Sequence, residues 1–102
     1  MGEYLVGCDV GTGGTKAAVM ATDGTVLGSH FIEYPLITAK NAEDKFPGAK
    51  AEHNPDWYWN AVADTLRVSI QQSKVDPQEI KGVSISALSL ACILVDKNLR
   101  PL

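Results

Sequence analysis

Gly11-Thr12-Gly13-Gly14-Thr15-Lys16 is the segment with the most obvious chemistry, and Asp9 stands just ahead of it. Glycines allow backbone N–H groups to converge on an anion as a concave nest. Thr12 and Thr15 add hydroxyl donors and Lys16 adds positive charge, a combination suited to phosphate. Asp9 has the wrong sign for that ligand unless a cation lies between them, and Mg2+ with its waters supplies such a link. The segment therefore predicts a Mg-nucleotide phosphate site. Asp9 would serve the metal, and Gly11, Thr12, Gly13, Gly14, Thr15 and Lys16 the phosphates. The same residues also fit a β-hairpin with a Gly-rich turn and an incidental carboxylate. Two familiar loops are excluded. A P-loop needs Gly before its Lys and Ser or Thr after it, whereas Thr15 precedes Lys16 and Ala17 follows it. The dinucleotide fingerprint would put its last glycine where Lys16 stands, and would open a helix.

Composition is compatible with such a site. A chain of 102 residues, 45% hydrophobic and 21% charged, is globular in character. It holds at most one domain with a modest core. The net charge of -3, with no Lys/Arg run, argues against nucleic acid and against a membrane surface as partner. The apolar stretches are too short to span a bilayer, and Asp9 arrives before any run long enough for a signal peptide. Cys8 and Cys92 both lie in apolar surroundings, which predicts buried, reduced thiols in a cytoplasmic protein.

The elements that must position the loop follow from pattern. Tyr4 to Val10 is an apolar run that predicts a buried strand. Three glycines in the next four positions mark a turn with left-handed or otherwise crowded backbone. Lys16 to Ala21 is too short for a typical helix. The Asp23-Gly24 turn makes it a strand paired with Thr25 to Tyr34. Residues 35–53 carry no period and contain Pro35, Pro47 and Gly48, so they read as a long solvated connector.

Asn54-Pro55-Asp56 has the cap, first-turn proline and acid of a helix start. Trp59, Val62, Leu66 and Ile70 predict its apolar face, to about Ser73, with Asn60, Asp64, Arg67 and Gln71 opposite. Trp57 and Tyr58 would pack the helix start onto the sheet. Ile80 to Ser86 is a further strand, Leu88-Ser89-Leu90 interrupts it, and Cys92 to Val95 is another, before a turn at Lys97-Asn98. The order is β-β-β-α-β-β, an α/β chain with a mixed sheet.

Leu5 to Ala17 resembles the first phosphate motif of the superfamily that joins actin, hexokinase and the heat-shock ATPases. More narrowly, the chain is similar to the FGGY carbohydrate kinases. Asp23-Gly24-Thr25-Val26-Leu27 matches the hairpin that follows the loop in that family. Tyr34-Pro35-Leu36 and Glu52-His53-Asn54-Pro55-Asp56-Trp57-Tyr58-Trp59 are similar to its Tyr-Pro and Glu-Gln-Asp-Pro-x-x-Trp-Trp passage. Ile80 to Ser86, with Val95-Asp96, resembles its later strand pair.

The resemblance implies a ribonuclease H-like fold, with residues 1–102 as the N-terminal part of the first of two domains. It implies ATP and Mg2+ as cofactors, a sugar or polyol as substrate, and a catalytic base, an Asp, beyond residue 102. It leaves an actin-like ATPase with conformational output, or a non-catalytic nucleotide-binding module, as the alternatives. The parent is expected to be a homo-oligomer. At the sugar-side turn, xylulokinases have Gln-Met-His and glycerol kinases Gln-Arg-Glu, where this chain has Leu88, Ser89 and Leu90. Those residues are the substrate candidates, and only Ser89 among them carries a hydrogen-bonding side chain.

Overall fold

Alternation along the first strand sets up two sheet faces. Val6, Cys8 and Val10 are buried, while Leu5 and Asp9, on the alternate positions, are exposed, as a strand of period two requires. A computed structural model of the chain describes residues 2–35, 37–38, 51–52, 54–88 and 92–102. Its elements are β1 (Tyr4–Val10), β2 (Gly14–Ala21), β3 (Val26–Glu33), β4 (Ile37–Thr38), β5 (Ala51–Glu52), α1 (Pro55–Ser73) and β6 (Ile80–Ala87). A four-stranded mixed sheet has the order β3-β2-β1-β6. β1 pairs antiparallel with β2 and parallel with β6. β4 and β5 form a separate antiparallel pair inside the segment expected to be a plain connector.

The two turns of the meander differ in kind. Thr22 to Thr25 closes as the Asp-Gly signal predicts, with Gly24 at φ 93°. Gly24 N–H donates to Ala21 C=O at 3.0 Å and Ala21 N–H to Thr25 C=O at 2.9 Å. The expectation of left-handed backbone in the Gly11–Gly14 turn is not met, since Gly24 is the one described glycine with positive φ. Crowding is the operative reason at Gly14. A Cβ there would strike the Ile32 carbonyl oxygen and the Phe31 ring.

α1 starts where its cap predicts. Asn54 Oδ1 accepts the Asp56 N–H at 3.0 Å, and Pro55 occupies the first turn. The helix ends at Ser73, with Lys74 left-handed at φ 59°. Its buried line is not the large-residue face read from the sequence. Ala61, Thr65 and Ser69 are the fully covered residues, and Trp59 is 72% exposed.

The cause is a close approach. α1 crosses β3 at Gly28, where a Cβ would run into the Ser69 carbonyl oxygen, so only small side chains fit beneath the helix axis. Ser69 Oγ donates to Ala17 C=O at 3.2 Å and Thr65 Oγ1 to Ala61 C=O at 2.7 Å. Each bond avoids a cost of about 1–3 kcal/mol for an unpaired buried hydroxyl. Tyr58, Val62 and Leu66 flank this line and pack on Cys8, Val10 and Ala17.

Two further expectations are corrected. Residues 92–94 form no strand. Leu102 N–H instead donates back to Leu94 C=O at 3.0 Å and Asp96 N–H to Arg100 C=O at 2.9 Å. The segment thus turns on itself around Lys97-Asn98, with a single bridge from Val95 to Pro101, and does not extend the sheet. Cys92 is exposed, whereas Cys8 is buried. Burial pushes the Cys8 thiol above its ordinary pKa, so it stays protonated and packs as a small hydrophobe.

Candidate active site

The carboxyl ends of β1 and β6 lie side by side, because the two strands are parallel and Val10 pairs with Ala87. Leu88 N–H continues that ladder to Val10 C=O at 2.9 Å. The Gly11–Gly14 turn and Leu88 therefore leave the sheet at one edge. In open α/β sheets ligands bind in the crevice at such an edge. Leu88 is half-buried there. Ser89 and Leu90 lie outside the described residues.

Asp9 faces the side of the sheet opposite α1. Its neighbours across the strands are Lys16 on β2 and Ser86 on β6. Together with Gly7, Ala18 and Ser84 they line a shallow groove of about 320 Å³. Asp9 and Lys16 are both exposed, and among the described residues Asp9 joins no ion pair. No group of three or more His, Cys, Asp or Glu among these residues could hold a metal unaided. One free carboxylate suits a cation that keeps most of its waters and takes further oxygens from phosphate, as Mg2+ does.

In the turn itself, Gly11 N–H donates to Gly14 C=O at 2.8 Å. Thr12 and Gly13 are exposed at the tip, and their N–H groups bond no other described residue. Thr15 is placed differently from the sequence expectation. It is fully buried on the α1 side, and its hydroxyl lies 3.3 Å from the Tyr34 phenol oxygen. The period of β2 sends Lys16 to the open face and Thr15 beneath the sheet. Its hydroxyl is therefore committed inside the fold, and the donors left open are the backbone amides at the tip, the Thr12 hydroxyl and the Lys16 ammonium.

The family model for the FGGY family of carbohydrate kinases, N-terminal domain, matches residues 4–102. The chain belongs to that family. Xylulose kinase of Haemophilus influenzae is 32% identical over 102 residues, covering 95% of this chain and 19% of the relative. Gluconokinase of Bacillus subtilis is 32% identical over 103 residues, covering 100% and 18%. Among solved structures, gluconate kinase from Lactobacillus acidophilus superposes with a TM-score of 0.80 at 26% identity, over 100% of this chain and 19% of that one. Ligand-bound xylulose kinase from the same organism gives 0.79 at 27% identity, over 98% and 18%. This FGGY chain thus spans about a fifth of the length of the relatives it matches, and it has the fold expected of their N-terminal part.

Sequence reasoning missed the part played by Tyr34, which entered only as the last residue of an expected strand and through the family's Tyr-Pro pair. Tyr34 is 5% exposed. Its phenol donates to Gly11 C=O at 2.5 Å, and its N–H donates to Gly13 C=O at 3.1 Å. Its ring meets Tyr58 edge-on at 5.7 Å and Trp57 at 6.4 Å. The aromatic start of α1 therefore packs as expected, and packs onto the residue that touches the turn. A visible signal was the position of Tyr34 one residue beyond a strand whose end must pair with Gly14.

Proposed function

We propose that this chain is the phosphate-binding part of a kinase that transfers the γ-phosphoryl group of ATP to a sugar or polyol hydroxyl. The observation that carries the reading is the uncommitted pair of amides at Thr12 and Gly13, beside an exposed, unpaired Asp9. The amides would hold phosphate oxygens, with Lys16 adding positive charge from the open face. Mg2+ bound at Asp9 would neutralise charge on the transferring group. The substrate hydroxyl oxygen forms the new bond to the γ-phosphorus while the bond to the β-phosphate oxygen breaks. ADP leaves, and the hydroxyl proton passes to a carboxylate outside residues 1–102. Leu88, Ser89 and Leu90 would border the sugar. The protein would work in the cytoplasm, on a small-molecule substrate, as a homo-oligomer.

The test uses the full-length protein and a panel of pentoses, hexoses and polyols. ATP turnover should require one of these substrates and should stop when divalent cations are chelated. Asp9→Asn should lower kcat about 100-fold, roughly 2.7 kcal/mol of barrier, with the sugar KM unchanged. ATP hydrolysis at the same rate without any sugar would overturn the kinase reading. A kcat within about threefold of wild type would make Asp9 a structural residue.

A further inference from the structure

A two-residue hairpin normally closes with a pair of reciprocal backbone bonds. At the Gly11–Gly14 turn only one is made, from Gly11 N–H to Gly14 C=O at 2.8 Å. The return bond, from Gly14 N–H to Gly11 C=O, is absent from the described hydrogen bonds. The Gly11 carbonyl is taken instead by the Tyr34 phenol at 2.5 Å. A carbonyl only accepts and a phenol has one proton, so Tyr34 spends its proton there. The Thr15 hydroxyl, 3.3 Å away, must then be the donor to the phenol oxygen. The Tyr34 N–H pins the Gly13 carbonyl at 3.1 Å. With its carbonyls drawn toward a residue outside the turn, the planar peptides direct the following N–H groups the opposite way.

We propose that Tyr34 is the positioning residue of the phosphate turn: by occupying the Gly11 carbonyl it fixes the peptide that carries the Thr12 N–H and holds that amide, with that of Gly13, exposed and available to an anion. Thr15 orients the phenol by donating to it. The edge-on contact with Tyr58 and the burial of the ring fix Tyr34 against α1, so the helix start is coupled to the turn through one side chain. The inference rests on the phosphate reading of the turn and goes beyond it, since Tyr34 is itself buried behind the turn.

The experiment compares binding of Mg-ATP and of adenosine to the full-length protein and its Tyr34→Phe variant by calorimetry. The variant keeps the ring and removes only the oxygen, so the Gly11 carbonyl loses the partner that fixes its peptide. The Kd for Mg-ATP should rise about tenfold, the Kd for adenosine should stay within about twofold, and the sugar KM should not move. A lowered thermal midpoint with an unchanged ratio of ATP to adenosine affinity would make Tyr34 a packing residue and overturn the proposal. A wild-type protein that binds ATP no better than adenosine would overturn the phosphate reading together with it. Thr15→Val provides the second arm if Tyr34→Phe does not fold. It removes the proton donated to the phenol and should weaken Mg-ATP about threefold while sparing adenosine, and no change in that ratio would likewise overturn the proposal.

Discussion

The two turns of the antiparallel meander join strands of similar length and differ in where their bonds come from. The Thr22–Thr25 turn is self-sufficient. Its backbone closes on itself, and Asp23 Oδ1 accepts the Thr25 N–H at 2.9 Å. That turn supplies its own anion to its own amides. The Gly11–Gly14 turn has no acidic side chain, lacks the return bond, and is braced by Tyr34 from 23 positions away. A turn held from outside can leave its amides pointing at solvent; a turn that satisfies itself cannot. The difference separates a turn that closes on itself from one whose amides stay uncommitted, and it does not depend on glycine content alone.

Three experiments would break or sharpen this contrast, all in the full-length protein. The largest effect is steric. Gly14→Ala drives a Cβ into the Ile32 carbonyl and the Phe31 ring and should cost about 3 kcal/mol of stability in a denaturant melt. Gly24→Ala meets no atom and suffers only from its positive φ, so about 1 kcal/mol is expected. Equal costs at the two glycines would show that the turns are held alike.

Next, Thr12→Asp gives the braced turn the anion that the other turn already has. Affinity for Mg-ATP should fall about 30-fold, roughly 2 kcal/mol, with the thermal midpoint preserved. Retained ATP affinity would place the phosphates elsewhere.

The smallest effect concerns Asp23, whose carboxyl is held below its ordinary pKa by the Thr25 backbone bond. A carboxylate with a depressed folded pKa stabilises the fold above its unfolded pKa, and that contribution is lost as pH falls through the folded value. The thermal midpoint should therefore decline slightly more steeply across that acidic window in wild type than in Asp23→Asn. Because the group is fully exposed, salt should screen part of the difference. Identical acid slopes would remove Asp23 from the turn's support.

Local signals were legible and tertiary ones were not. The Asn54 cap, the Pro55 start and the Asp23-Gly24 hairpin act within a few residues, and each is found where the sequence puts it. The placement of Asp9 and Lys16 next to each other on one face also follows from pairing β1 with β2 through a short turn. The buried side of Thr15 was present in the same period-two pattern but masked by the suitability of its hydroxyl for phosphate. Trp59 misled because large apolar residues usually mark a helix's buried face. Here the approach of α1 to Gly28 reserves that face for Ala61, Thr65 and Ser69. The strand expected at 92–95 failed for a related reason, since an apolar run supplies the tendency to extend but does not name its partner, and here the segment bonds back to residues 100–102. The grip of Tyr34 on the turn needed both the β2–β3 register and the docking of α1 before it could be seen.

The parallel partnership of β1 and β6 bears on the order of assembly. The meander and α1 can form from residues up to Ser73, whereas the β1–β6 edge waits for Ile80–Ala87. The bond from Gly2 N–H to the Glu79 carboxylate alone spans 77 positions. Closing so long a loop costs little extra free energy, about 0.6 kcal/mol per doubling of length, but it comes after the other strands of the sheet have been made. Until then β1 presents an open edge beside the Gly11–Gly14 turn. During synthesis that interval is when the nascent chain is most exposed to pairing with a copy of itself.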